Sequence, residues 1–175
     1  MPILNIGSAD VRYEGDVINL DIQEGINVDI IADARDLPYE DNYFDGIIAS
    51  HILEHFKREE HFGLLIEWRR VLKHDCKMFI GCPDIFKCMQ YYLDNKRGLR
   101  DSYWYQCIYG LADRRKFDTH LSGINEQYLT ELLFKTGFRD LVWKKYDECE
   151  DHNIGVTATK KQDPDNLIIK PRVKK

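Results

Sequence analysis

The sequence predicts an α/β protein with a mostly parallel sheet, flanking helices and a C-terminal antiparallel strand pair. Three observations lead there. Short apolar runs in the first fifty residues each stop at a glycine or a polar residue. Strand-like and helix-like segments then alternate, and two strand-like segments close the chain. Runs rich in Ile and Val that end in a polar residue fit parallel strands buried on both faces, and the alternation supplies the helices that cover them.

Ile3 to Gly7 reads as the first strand, Val17 to Asp21 as the second, Val28 to Asp33 as the third and Phe44 to Ser50 as the fourth. Only Ser8 to Asp16 separates the first two. A parallel crossover ordinarily takes a dozen or more residues, so the first helix is expected to be trimmed to a loop or a single turn. In Glu59 to Leu72, the residues Leu64, Leu65, Trp68, Val71 and Leu72 fall on one face of a helix. Glu59 and Glu60 near its start and Arg69, Arg70 and Lys73 near its end complement the helix dipole. Lys77 to Cys82 is a fifth strand stopped by Pro83. Asn125 to Thr136 is a second amphipathic helix, with Asn125 as N-cap, Leu129, Leu132 and Leu133 inward and Gly137 as its stop. Phe138 to Tyr146 and Ile154 to Lys160 are the closing strands. Residues 1–161 thus form one domain, in which about 85–123 is an irregular insertion with short helices. Residues 162–175 are a polar tail.

Bulk properties narrow the function. The chain of 175 residues is 43% hydrophobic, enough for one domain with a real core. A net charge of −5 makes nucleic acid an unlikely partner, because coating a phosphate backbone needs a positive face. No apolar stretch approaches the roughly 18–20 residues of a membrane span, and no signal peptide is evident, so a cytoplasmic location is expected. Cys76, Cys82, Cys88, Cys107 and Cys149 are odd in number and lack a CxxC pair, which reads as free thiols.

In open parallel sheets, ligands bind at the C-terminal ends of the strands. The polar residues collect there: Gly7 and Ser8 after the first strand, Asp21 ending the second, Asp33 ending the third, Ser50 and His51 ending the fourth. A carboxylate at the end of the second strand can accept hydrogen bonds from both hydroxyls of a ribose. Asp33 with the backbone N–H of Ala34 can read the polar edge of an adenine. Any one Asp at a strand end is more often a turn residue or cap; their co-location at successive strand ends shifts the odds.

The run Asp33-Ala34-Arg35-Asp36-Leu37-Pro38-Tyr39, then Asn42 to Phe56 (NYFDGIIASHILEHF), then Glu67 to Lys73 (EWRRVLK) and Cys82-Pro83-Asp84 resembles class I S-adenosylmethionine-dependent methyltransferases. It is most similar to the short, UbiE-like (type 11) group. The later Tyr109-Gly110, Asp118, His120, Gly123 and Leu132-Leu133 through Gly137-Phe138 also fit, so the resemblance runs from about Leu4 to about Thr159. It implies a Rossmann-like fold and S-adenosylmethionine as cofactor. Asn5, Gly7 and Ser8 would form the loop beside the methionine moiety, Asp21 would bind the ribose, and Ile22 would pack on the adenine. Asp33 and Ala34 would read its edge, and Ser50 and His51 would lie near the reacting methyl. Two departures stand out. Gly7 is alone where such loops carry two or three glycines, and His74-Asp75-Cys76 stands where Pro-Gly-Gly is common.

The expected reaction is in-line methyl transfer, mainly O-methylation, to a small-molecule, sugar or lipid acceptor; oligomeric state is not legible. Positioning dominates such a displacement, and a base is needed only if the acceptor loses a proton. His51, His120 and Asp118 are the candidates. His120 serves equally well as a structural bridge to the insertion. Tyr91, Tyr92, Tyr103, Trp104, Tyr105 and Tyr109 are candidates for an acceptor-pocket wall under an 85–123 cap, although ordinary packing accounts for them as well. Two other classes compete. A domain that has lost catalysis and serves as a scaffold would share the glycine-poor loop. His51-Ile52-Leu53-Glu54-His55 matches the H-x-x-E-H pattern of a zinc hydrolase. That chemistry needs both histidines on one helix and a third ligand, and here a strand leads straight into His51, so no metal ligands are assigned.

Overall fold

A computed structural model describes residues 2–9, 11–95, 102–110, 118–145 and 152–161. The strands are β1 (Ile3–Ile6), β2 (Val17–Asp21), β3 (Ile30–Ile31), β4 (Phe44–Ser50), β5 (Leu72–Pro83), β6 (Phe138–Lys145) and β7 (Asn153–Lys160). The helices are α1 (His61–Val71), α2 (Ile85–Asn95), α3 (Ser102–Tyr109) and α4 (Glu126–Lys135), with a single 3-10 turn at Leu53–His55. The strands form one sheet in the order β3-β2-β1-β4-β5-β7-β6. Neighbours from β3 to β5 are parallel, whereas β7 runs antiparallel to both β5 and β6. This is the expected mostly parallel, Rossmann-like α/β sheet with an antiparallel C-terminal pair. The order reverses direction between β1 and β4, and ligands of open parallel sheets lie at such a point.

The central strands behave as predicted because they are buried. Leu4, Ile6, Leu20, Ile47, Met78, Ile80 and Val156 are all at most 2% exposed. Trp68, Leu64 and Leu65 of α1 and Leu129 and Leu133 of α4 pack on the same core. Burying a side chain of this size contributes about 1.5–3 kcal/mol. Asn125 caps α4 as expected, its side-chain oxygen accepting from Tyr128 N at 2.8 Å. Gly137 ends that helix at φ +84, where a Cβ would also meet the Arg69 guanidinium at 2.8 Å.

Several boundaries need correction. The third strand is two residues long rather than Val28 to Asp33, and it is not buried: Ile30 and Ile31 are 37% and 60% exposed. It is an edge strand, and short edges resist further pairing. At Asp29 the N–H still donates to Asn19 O at 2.7 Å, while its carboxylate, rather than a carbonyl, accepts from Asn19 N and pairs with Arg12. The fifth strand begins at Leu72, directly after α1. Between Phe44↔Leu72 and Gly46↔Lys77, β4 advances two residues while β5 advances five. The extra residues are the His74-Asp75-Cys76 turn, with Asp75 at φ 57, so it is a bulge inside the strand. The insertion carries more order than expected: α2 is an eleven-residue helix.

The first crossover is trimmed as predicted, and no helix is found between β1 and β2 among the described residues. Polar bonds do the helix's work. Asn19, on β2, accepts from Asn5 Nδ2 (3.0 Å) and Tyr13 N (3.1 Å) and donates to Tyr13 O (3.1 Å) and Asp29 Oδ2 (3.0 Å). These bonds fold the 8–16 loop back over β1 and β2. Cys76, Cys82, Cys88 and Cys107 are free thiols; Cys149, the tail 162–175 and the side chains of Tyr103, Trp104 and Tyr105 lie outside the described residues. No helix among the described residues is long and apolar enough to cross a membrane.

Candidate active site

The strand ends open into a cleft of ≈ 1290 Å³. Its floor on one side is the turn after β1. Gly7 N and Ser8 N both donate to Leu20 O, at 2.8 and 3.0 Å, and Val11 N closes the turn on Ser8 O at 2.7 Å. Gly7 is required twice: its φ is +73, and a Cβ would stand 2.5 Å from Ile52 Cδ1. Ala9, at φ 42, adopts a left-handed conformation where glycine is usual. Asp21 holds this turn, its Oδ2 accepting from Ala9 N and its Oδ1 from Gln23 N, both at 2.9 Å. A carboxylate offers about four acceptor sites, so these two bonds leave about two more on Asp21, which lines the cleft.

Asp33 and Ala34 are fixed by α1. Trp68 Nε1 donates to Ala34 O at 3.0 Å, and Leu37 N donates to Glu67 Oε1 at 2.8 Å. Arg70 reaches Tyr39 O, Leu37 O and Asp41 from the same helix. Arg35 grips the Asp33 carboxylate with both Nε and a terminal nitrogen and extends to Glu60 at 3.1 Å. The hydrogen bonds from Arg35 lower the Asp33 pKa against the opposing effect of burial, so Asp33 is an anion.

The other wall is dense in titratable groups. β4 ends at Ser50, and His51 turns the chain at φ 51, an uncommon conformation for a side chain of this size. His51 Nδ1 stands 3.2 Å from Glu54 Oε1. Glu54 is 2% exposed, and neither of its oxygens has an aligned hydrogen bond among the described residues. Burial raises its pKa, but the contact with His51 and the fields of His51, His55 and His120 outweigh that and lower it overall. The backbone of Glu54 ties in the 118–122 loop by accepting from Leu121 N (2.8 Å) and Ser122 N (3.2 Å). His55 Nδ1 faces Thr119 O at 3.2 Å, His55 Nε2 is 3.8 Å from Asp118 Oδ1, and His120 Nδ1 faces Cys107 O at 3.1 Å. Burial lowers the pKa of His120, the nearby Glu54 opposing it.

A methyltransferase-domain family model matches residues 9–80, which span the β1–β2 loop, both acidic strand ends and the His51–His55 turn. That stretch is less than half of the 175-residue chain, and the likeness to methyltransferases is one of domain and fold. Solved structures share its fold. A SAM-dependent methyltransferase from Archaeoglobus fulgidus is 19% identical over 91% of this chain and 86% of that one, at TM-score 0.62. One from Methanosarcina mazei is 18% identical over 93% of each chain, at TM-score 0.63. The Burkholderia thailandensis 1,6-didemethyltoxoflavin-N1-methyltransferase, solved with 1,6-didemethyltoxoflavin and S-adenosylhomocysteine, is 16% identical over 91% of this chain and 71% of that one, at TM-score 0.62. A search of curated proteins finds no match.

Asn5, Gly7, Ser8, Asp21, Ile22, Asp33, Ala34, Ser50, His51, Asp118 and His120 all line the one cleft. Its chemistry suits the cofactor: a cradle that a Cβ at Gly7 would fill, a carboxylate with open acceptor sites, and the buried Ser8 Oγ, which has no hydrogen-bond partner among the described residues. The Asn5 amide nitrogen donates to Asn19 Oδ1 and Val11 O, which ties it to the loop it borders. The H-x-x-E-H pattern does not lie on one helix, since only Leu53–His55 forms a 3-10 turn and His51 precedes it. Tyr109 is 55% exposed. Sequence reasoning passed over Glu54 and His55 except as a zinc motif. The signal was there: a carboxylate inside the otherwise apolar Ile52-Leu53 segment must be buried beside partners.

Proposed function

We propose that this protein is a class I S-adenosylmethionine-dependent methyltransferase that moves the cofactor's methyl group to an oxygen of a small-molecule, sugar or lipid acceptor, in the cytoplasm, with His51 taking the acceptor's proton. The observation that carries this reading is the pair His51–Glu54. His51 borders the cleft at the end of β4 with Nδ1 3.2 Å from a buried carboxylate. A carboxylate behind Nδ1 sets the tautomer, leaves Nε2 as the basic atom and stabilises the imidazolium formed when that atom takes a proton. Such an arrangement serves an acceptor that must be deprotonated, as a hydroxyl must.

The remaining roles follow from position. Asp21 accepts from the ribose hydroxyls, with hydrogen bonds to a charged acceptor worth about 1.5–3 kcal/mol each. Ile22, 43% exposed, offers an apolar face to the adenine. The Ala34 N–H and the Asp33 carboxylate, held by Arg35, address its polar edge. Gly7 and Ser8 shape the cradle for the amino-acid end, beside Asn5, and Ser50 flanks the reacting centre. S-adenosylmethionine, when bound, supplies an activated methyl on a sulfonium, so the protein's task is alignment, which can contribute about 7–11 kcal/mol. His120 and Asp118 line the same cleft as His51 and bound its acceptor side.

The test compares His51→Ala with the parent on a panel of labelled-cofactor acceptor reactions. Turnover should fall at least tenfold, with S-adenosylhomocysteine affinity unchanged. Unaltered turnover would make His51 a packing residue and remove the deprotonation step.

A further inference from the structure

We propose that Glu54, His55 and His120 form a binding site for a divalent first-row transition-metal ion, with zinc as the type ion, in the acceptor-side wall of the cleft. One ligand atom from each of the three lies within 4.8 Å of the others. Ligands held about 2.0–2.2 Å from a tetrahedral ion stand roughly 3.4 Å apart, so modest side-chain rotation closes the set.

The ring nitrogens are already arranged for it. His55 Nδ1 faces the Thr119 carbonyl at 3.2 Å, and His120 Nδ1 faces the Cys107 carbonyl at 3.1 Å. A carbonyl only accepts, so both rings carry their proton on Nδ1 and present a lone pair at Nε2. Metal-ligating histidines use this device: the other ring N–H goes to a carbonyl or carboxylate, which fixes tautomer and orientation. The rings stand 5.0 Å apart with planes at 70°, so neither stacks over the other.

Glu54 is the independent observation. It is 2% exposed, and neither carboxylate oxygen has an aligned hydrogen bond among the described residues. A buried charge left in that state is costly. The His51 contact uses Oε1, which leaves Oε2 for an ion. Two imidazoles and one carboxylate favour zinc, iron, cobalt or nickel over magnesium or calcium, which take oxygen ligands. The set differs from the H-x-x-E-H motif: it excludes His51 and recruits His120 from a loop 65 residues beyond His55. His55, His120 and Asp118 all face the cleft, so an acceptor oxygen entering beside His51 would reach the ion. That last role rests on the methyl-transfer reading; the binding of metal does not.

Chelator-treated full chain is titrated with zinc chloride by calorimetry, with S-adenosylhomocysteine titrated separately. One zinc per chain is expected, with affinity lost more than tenfold in His120→Ala and in Glu54→Gln, since even outer partners of a ligand are worth 10–100-fold. His51→Ala should keep its zinc. Zinc should also raise the melting temperature of the parent and not of His120→Gln, which guards against a variant that merely folds poorly. No saturable zinc binding by the parent overturns the site, as does loss in His51→Ala with retention in His120→Ala. If zinc fails while S-adenosylhomocysteine binds, the metal site falls and the methyltransferase reading stands; the reverse result separates them the other way.

Discussion

Along the β1–β2 side, the cleft is lined by backbone and short side chains: Gly7, Ser8, Ala9 and Asp21. Along the side of the Leu53–His55 turn, it is lined by His51, His55, His120 and Asp118, with Glu54 buried behind them. The first wall is held by backbone hydrogen bonds onto β2 and by the Asn5–Asn19–Asp29 network, the second by a turn and a loop that share Glu54 O. On the proposed reading, one wall would recognise the cofactor by shape and hydrogen bonding, and the other gathers the titratable groups proposed to move a proton and hold a cation. The division fits a protein with one constant partner, the cofactor, and one acceptor whose proton must be handled. Among the described residues no helix stands between β1 and β2, and backbone amides line that wall.

Changes on the cofactor wall should be steric and severe. Gly7→Val places a branched side chain at φ +73 and against Ile52, and should abolish measurable S-adenosylhomocysteine binding in calorimetry; parent-like affinity would mean that the cradle is not used. Asn19→Ala removes the hub of the network that replaces the first helix. With net hydrogen-bond contributions of 0.5–1.5 kcal/mol each, a loss of about 2 kcal/mol is expected in urea unfolding. A loss too small to measure would show that the loop stands without it. The acceptor side should instead show itself through pH. His61, fully buried beneath that wall with Tyr128 OH 2.9 Å from Nδ1 and Ser122 Oγ 3.1 Å from Nε2, has its pKa lowered by burial. Its unfolded form therefore binds the proton first. Stability is full above about pH 6.5 and declines as pH falls through the lowered value. The melting temperature should drop on acidification below that point, and less steeply in His61→Gln; parallel profiles would assign the slope to other groups.

The fold was legible because the central strands and α1 and α4 carry their patterns openly. Leu64, Leu65 and Trp68 mark a helix face, and Asn125 and Gly137 mark the ends of another. The third strand was overread because Val28 to Asp33 looks like a buried run, whereas Asp29 turns to Asn19 and the edge stays exposed. The bulge at His74-Asp75-Cys76 has no sequence period, only an Asp able to take a positive φ. In the site, polar residues at strand ends were readable because topology alone brings them together. The second wall was not, since it joins Glu54 and His55 to Asp118 and His120 across a stretch without periodicity, and pairing of that kind is tertiary. Asp21 shows the mixed case: it is the turn residue that a lone Asp at a strand end suggests, and it keeps open acceptor sites toward the cleft.

The central claim is that Asp21 anchors the cofactor on the first wall. Calorimetric titration of S-adenosylhomocysteine into the parent and into Asp21→Ala, with matched circular dichroism spectra, tests it directly. One site per chain in the parent and at least tenfold weaker binding in the variant, about 1.4 kcal/mol, is the predicted result. Equal affinity in the two proteins would contradict it.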